Sequence, residues 1–112
     1  MEKKDLLKDT IKHIDIKSYD STQLIDAMRD MSFTSRDTAR ATDILMMMVG
    51  EKECTNILTI AGSTSAAGCM QVYVDMVRNK MVDVVVSTGA SIIDMDLFEA
   101  LGYKHYKGHQ DV

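Results

Sequence analysis

The sequence lacks the features that mark several specialised classes of protein. It has no apolar run near the ~18 residues of a membrane span and no excess of positive charge. The net charge of −4 makes nucleic acid and anionic membrane poor first expectations. The first five residues carry charges of both signs with no apolar segment behind them, unlike a secretory signal. We therefore expect a cytoplasmic protein.

Cysteine is also scarce, with only Cys54 and Cys69 present. Their spacing matches no metal-binding pattern, and two cysteines without a secretory signal do not indicate a disulfide framework. Both thiols are expected to be reduced and structural. The 112 residues suffice for one domain with a core, and 46% hydrophobic and 27% charged residues are ordinary values for a globular protein.

What the sequence does contain is a pair of short apolar runs, each ending in small polar residues. Residues 56–65 read NILTIAGSTS and residues 81–91 read MVDVVVSTGAS, with 15 residues between them at 66–80. Two β-branched runs joined by a segment of helical length predict a βαβ unit with parallel strands. Both polar clusters would then lie at the carboxyl ends of neighbouring strands, where open α/β sheets bind their ligands.

The polar clusters have the composition of a turn that binds phosphate or ribose. Glycine permits close approach of the backbone, hydroxyls donate hydrogen bonds, and a following helix N-terminus favours negative charge. The sequence is neither a Walker A motif nor a GxGxxG fingerprint, so a plain strand-to-helix turn is the alternative. The candidate ligand-binding residues are Gly62, Ser63, Thr64 and Ser65 in the first cluster and Ser87, Thr88 and Gly89 in the second. Ser65 could also cap the central helix.

Asp94 and Asp96 follow the second cluster. Carboxylates at the edge of a cleft suit a cationic substrate or ribose hydroxyls, whereas the alternative is that Asp94 caps the last helix, expected over residues 92–101. Two residues apart on a helix, the two carboxylates would point in different directions.

No catalytic residue or metal site is predicted. His105 and His109 are four residues apart, but no third ligand accompanies them and Gly108 disfavours a helix there. His13 lies in the N-terminal leader and is expected to be solvated. The serines lack a nucleophile-elbow motif and a base.

The predicted sheet is too small to stand alone. Residues 1–19 are expected to form an N-terminal arm and residues 20–112 the α/β unit. That unit is expected to begin with a helix over 22–31 and a second helix that Thr34 or Ser35 caps and that ends at Val49. Two parallel strands would both be unpaired edges. The chain is therefore expected to be the first part of a larger α/β domain, completed by partner chains or present as a fragment.

Several motifs resemble the deoxyhypusine synthase family, including its prokaryotic deoxyhypusine-synthase-like members. They are QLIDAM at 23–28, SFTSR at 32–36, TIAGSTSAAG at 59–68, KMVDVVVSTGA at 80–90, DL at 96–97, LG at 101–102 and HYKG at 105–108. The resemblance covers residues 20–108, and 81–90 is its most specific part.

The resemblance implies a Rossmann-like, NAD-dependent transferase that is usually a homotetramer. In the family, NAD oxidises spermidine, and the aminobutyl group passes through an imine on an enzyme lysine to an acceptor amine. The acceptor is a lysine of a translation-factor precursor, or in some relatives putrescine. The resemblance aligns Thr64 and Ser65 with the first NAD-contacting turn, Ser87, Thr88 and Gly89 with the second, and Asp94 or Asp96 with an acidic pair beside cofactor and polyamine.

The family's catalytic lysine lies downstream of Val112, so the resemblance assigns that role to no lysine of this chain. Two hypotheses follow. The chain is the cofactor-binding N-terminal portion of such an enzyme, or it is a non-catalytic binding and assembly module.

Overall fold

The computed structural model describes residues 2–109, and helices precede the sheet along the chain. They are α1 (Lys3–Leu6), a one-turn 3₁₀ helix (Ile16–Ser18), α2 (Thr22–Arg29) and α3 (Phe33–Gly50). The two helices predicted in this region are confirmed to within a few residues at their ends. Within the described residues, no helix combines the length and the apolar character needed to cross a membrane.

The two apolar runs form a parallel pair of strands, as predicted. Strand β1 (Ile57–Ile60) pairs with β2 (Val84–Ser87), and the register aligns Ile57 with Val84 and Ile60 with Ser87. The β-branched side chains of both runs favour this extended conformation. The chain is thus of the α/β class, and its centre is the predicted βαβ unit.

The connection between the strands is helical but broken near its start. A π-helical turn (Ser65–Cys69) leads into α4 (Met70–Arg78), and Gly68 breaks the helix with a φ of 106°. The prediction that Ser65 caps this helix is wrong. Thr64 already has helical backbone angles and stands at the N-cap position, so Ser65 lies inside the first turn.

The last helix begins three residues earlier than predicted. It consists of α5 (Gly89–Ser91), a π-helical segment (Ile92–Leu97) and α6 (Phe98–Ala100), and together we call these the C-terminal helix. Thr88 has extended backbone angles and stands at the N-cap position. Asp94 therefore lies within the helix, and the alternative that it caps the helix is wrong.

Only one face of the sheet is covered. Because side chains alternate along a strand, Ile60 and Val85 point to the face that α4 and the C-terminal helix cover. Ile60 is buried there. Ile57, Val84 and Val86 point to the opposite face and are exposed. In the part of the chain that the structure describes, both strands are edges, as predicted.

The amino ends of the strands are tied together by Asn56. Its N–H donates to Asp83 Oδ2 at 2.8 Å, and its side-chain amide donates to the Met48 carbonyl at 3.3 Å. Asp83 lies just before β2, and its carboxylate accepts this bond.

The N-terminal arm lies against the rest of the chain. Thr10 forms an isolated antiparallel bridge with Tyr106, the Ile11 N–H donates to the His105 carbonyl at 2.9 Å, and the Lys107 N–H donates to the Asp9 carbonyl at 2.8 Å. Residues from both ends of the described chain thus meet beside the C-terminal helix.

Candidate functional site

The two polar clusters lie side by side at the carboxyl edge of the sheet. We call residues 62–65 the first turn and residues 87–91 the second turn. The Thr88 N–H donates to the Ile60 carbonyl at 3.2 Å, which extends the pairing of the strands by one residue. The Ser91 hydroxyl donates to the Gly62 carbonyl at 2.8 Å. The sequence placed these turns at neighbouring strand ends, and these bonds join them directly.

The first turn presents backbone and hydroxyl groups to solvent. Gly62 has a φ of 77°, a conformation that favours glycine, and no atom lies within 4 Å of the position that a Cβ would take. Ser63 and Thr64 are exposed, and the Tyr73 hydroxyl donates to Thr64 Oγ1 at 2.7 Å. In the described structure, the N–H groups of Ser63 and Thr64 donate to no other group. N–H groups without a partner can donate to an anionic or hydroxyl-bearing ligand.

Ser65, the fourth candidate in the first turn, has a different environment. It is completely buried, and its hydroxyl has no hydrogen-bond partner among residues 2–109. An unpaired buried hydroxyl costs free energy, so Ser65 is not explained by packing alone. Contact between this hydroxyl and a ligand would require the turn to open locally.

The second turn is half-buried at its start and exposed at its tip. Ser87 is half-buried, and its hydroxyl donates to the Thr88 carbonyl at 3.2 Å, while Thr88 and Gly89 are exposed. The Thr88 and Ser91 hydroxyl oxygens are 3.5 Å apart. Ser91 itself is completely buried. Ser91 is the last residue of the predicted polar cluster, but nothing in the sequence indicated its bond to the first turn.

The two aspartates differ in their surroundings. Asp94 is exposed and forms no side-chain hydrogen bond or ion pair with the other described residues. Asp96 is half-buried, and its Oδ1 has no hydrogen-bond partner in the described structure. Asp96 lines a groove of about 450 Å³ between α4 and the C-terminal helix. The groove's other lining residues are Ile60, Met70, Tyr73, Val74, Val77, Arg78, Val85, Ile92 and Ala100.

A larger depression lies away from the two turns. It has a volume of about 550 Å³ and is lined by Met47, Met48, Gly50, Glu51 and Cys54. Cys54 and Glu51 precede β1, so this depression lies toward the amino end of the strand, whereas both turns follow the carboxyl ends. The volume of a depression does not identify a site without convergent polar groups, and the two turns provide those groups.

The histidines do not form a metal centre in residues 2–109, where no three His, Cys, Asp or Glu side chains converge as ligands. His109 is exposed, whereas His105 Nδ1 lies 3.2 Å from Glu99 Oε2. The expectation that His13 is solvated is wrong. Its side chain is 19% exposed, and its Nε2 lies 2.6 Å from Glu99 Oε1. No local sequence pattern indicated this contact, which joins residues 86 positions apart.

Comparison with known proteins matches the chain to a single family. The family model described as deoxyhypusine synthase matches residues 23–112, which is most of the chain. The chain belongs to the deoxyhypusine synthase family. The matched residues include both turns and both aspartates. No solved structure matches this family member.

Curated relatives agree with this membership. A deoxyhypusine synthase-like protein of Caulobacter vibrioides is 60% identical over 106 residues, and one of Chlorobaculum tepidum is 51% identical over 112 residues. A probable deoxyhypusine synthase 2 of Methanosarcina acetivorans is 36% identical over 95 residues. These matches cover 95%, 100% and 85% of this chain but only 29%, 32% and 27% of the relatives. The deoxyhypusine synthase family chain thus spans about 30% of the length of these relatives.

Proposed function

We propose that this chain provides the NAD-binding portion of a deoxyhypusine synthase-like transferase with a Rossmann-like fold. The reaction is the NAD-dependent transfer of the aminobutyl group of spermidine to an acceptor amine. The acceptor is a lysine of a translation-factor precursor or a small amine such as putrescine. We further propose that the enzyme is a homo-oligomer, a tetramer as in the family, and acts in the cytoplasm.

The observation that carries the proposal is the hydrogen bond from Ser91 to the Gly62 carbonyl, which makes the two turns one continuous polar edge. Ligands of open α/β sheets bind at this edge. NAD, when bound, supplies the hydride acceptor for oxidation of the polyamine. Its pyrophosphate and ribose hydroxyls match the exposed N–H groups and hydroxyls of the turns.

In this proposal each candidate residue has a specific part. The backbone of Gly62 and Gly89 allows close approach of the dinucleotide, and Ser63, Thr64 and Thr88 donate hydrogen bonds to it. Further cofactor contacts come from Ser65 and Ser87, the former after local opening of the first turn.

The aspartates are proposed as the polyamine contacts. A polyammonium chain needs both carboxylates and apolar surface for its methylene groups. Asp96 lines a groove whose walls are mainly apolar, and its Oδ1, which is buried without a hydrogen-bond partner among residues 2–109, would accept from an ammonium group after local opening of the groove. Asp94 supplies an exposed carboxylate two residues away. No lysine of this chain is proposed to form the imine, so the covalent step needs residues from elsewhere.

Calorimetric titration of NAD into the purified chain tests the cofactor site. We expect saturable binding that Gly62→Ala weakens roughly tenfold, because the added Cβ would occupy the open side of the turn, where the dinucleotide must approach the backbone. Gly50→Ala is the matched control, since its Cβ would meet no atom within 4 Å and its φ is not positive. Absence of binding by the unmodified chain, or equal affinities for both variants, would refute the site.

Incubation of the chain with spermidine, NAD and an acceptor amine tests whether the chain supplies the cofactor site without the covalent step. We expect no aminobutyl transfer because no imine-forming lysine is assigned here. Clear turnover by the chain alone would overturn the view that it provides only the cofactor portion.

The second hypothesis, a binding and assembly module, is favoured by large apolar side chains left at the surface. Phe33 is 85% exposed and Met46 is 66% exposed. Sedimentation of the chain measures its oligomeric state, and the NAD titration above measures its cofactor affinity. A folded monomer without affinity for NAD would remove both the assembly module and the cofactor site.

A further inference from the structure

Residues 10–18 of the N-terminal arm cross both helices that follow the two turns, and we call this segment the strap. The strap contacts the π-helical turn and α4 on one side and the C-terminal helix on the other. The proposed function gives the strap no role, and its contacts were not indicated by the sequence.

On the first of these helices, the strap lies against Gly68 and Asp75. The Ile14 N–H donates to the Gly68 carbonyl at 2.9 Å. A Cβ on Gly68 would lie 3.1 Å from the Lys12 carbonyl oxygen, so the strap packs at a distance that suits glycine. Lys17 Nζ donates to Asp75 Oδ1 at 2.8 Å, although the Asp75 side chain is only 6% exposed. A buried carboxylate on α4 thus has its cationic partner on the strap.

The effect of this ion pair on the two ionisable groups is consistent with a firm contact. The hydrogen bond from Lys17 lowers the pKa of Asp75 against the opposing effect of burial. The same bond raises the pKa of Lys17. Both directions favour the charged pair.

On the second helix, Glu99 is the central residue of the contact. Glu99 Oε1 lies 2.6 Å from His13 Nε2 on the strap, and Glu99 Oε2 lies 3.2 Å from His105 Nδ1 beyond the helix. The three side chains are 19–24% exposed. Because a carboxylate can accept from both imidazoles at once, Glu99 joins the strap, the C-terminal helix and the segment after it.

A groove of about 450 Å³ separates α4 from the C-terminal helix over the sheet. Side chains from α4 and from the C-terminal helix line opposite sides of this groove, so direct packing leaves their spacing open there. We propose that the strap is a positioning element that sets the spacing of the two helices, and that Glu99 and Asp75 are the positioning residues that hold it. The helices begin at the two turns, so the strap also supports the contact that the Ser91 hydrogen bond makes between the turns.

Amide hydrogen exchange of the Glu99→Gln variant tests this inference without requiring a ligand. We expect roughly tenfold faster exchange at amides beside both turns, among them Ala67 and Thr88, while protection in α2 and α3 is unchanged. Glu53→Gln is the matched control, because Glu53 is exposed in the connection before β1 and no side-chain contact would be lost. Acceleration confined to residues 98–105 would overturn the inference.

The Lys17→Met variant keeps the test decisive if Glu99→Gln unfolds the whole chain. Lys17 is 57% exposed, so its apolar replacement removes the ion pair without burying a new group. Faster exchange at Ala67 and Thr88 supports the strap, and exchange equal to that of the unmodified chain refutes it. If the two turns bind NAD, as the proposed function has it, a variant that loosens the strap should also bind NAD more weakly. A strap variant with faster hydrogen exchange but unchanged NAD affinity would support the positioning role of the strap. It would contradict only the connection between the strap and cofactor binding.

Discussion

Replacement of Ser91 by alanine should loosen the contact between the two turns. The Ser91 side chain is completely buried, and its hydroxyl donates to the Gly62 carbonyl at 2.8 Å. A buried hydrogen bond of this kind contributes about 0.5–1.5 kcal/mol net, and alanine retains the Cβ, so little packing is lost. We therefore expect Ser91→Ala to lower the free energy of unfolding by about 1 kcal/mol.

Urea denaturation followed by circular dichroism measures this change, with the slope of the transition checked for constancy. Ser63→Ala is the matched control for stability, because Ser63 is exposed in the same pair of turns and its hydroxyl has no hydrogen-bond partner among residues 2–109. The control should change stability by less than about 0.5 kcal/mol. Equal stability of Ser91→Ala and the unmodified chain would refute the view that this bond joins the turns.

Three further predictions concern the framework around the site. Gly68→Ala should destabilise the chain by about 1–3 kcal/mol, because alanine is strained at a φ of 106° and its Cβ would lie 3.1 Å from a strap carbonyl. Gly50→Ala is the control and should not destabilise the chain, and thermal denaturation of the two variants measures the difference. Asn56→Ala should cost about 1 kcal/mol, because it removes the side-chain hydrogen bond to the Met48 carbonyl while the Glu51 N–H remains 3.4 Å from that oxygen, and a stability loss below about 0.3 kcal/mol would contradict this. Asp75→Asn should reduce the loss of folding stability that the chain shows at acidic pH. Because the pKa of Asp75 is lowered on folding, its ionised form stabilises the chain above pH 3.8, and this contribution is lost as the pH falls through the folded-state value. The free energy of unfolding is measured between pH 2 and pH 6 for both proteins. The same pH dependence for Asp75→Asn and the unmodified chain would count against the ion pair with Lys17.

The local parts of the fold could be predicted because their signals lie within short stretches of sequence. The runs at 57–60 and 84–87 are β-branched and end in small polar residues, which is sufficient to predict parallel strands with their polar turns at one edge. The pairing of those turns followed from the parallel arrangement alone.

The parts that could not be predicted depend on contacts between distant residues. His13 contacts Glu99 across 86 positions, and no periodicity connects the two. Asp75 belongs to a strip of polar residues on α4 that would ordinarily face water, yet the strap covers it. The start of the central helix was wrong by one residue because Thr64, rather than Ser65, stands at its N-cap position, and that of the last helix was wrong by three because Thr88 stands there.

The most direct test of the central claim is the map of NAD-induced shifts in the ¹⁵N–¹H spectrum of the chain. We expect the amides of Ser63, Thr64, Thr88 and Gly89 to shift together, with the same dissociation constant for NAD. Amides beside the depression at Gly50 and Cys54 should stay unchanged. Shifts at that depression without shifts at the turns, or no shifts at all, would contradict the proposal that the two turns bind NAD.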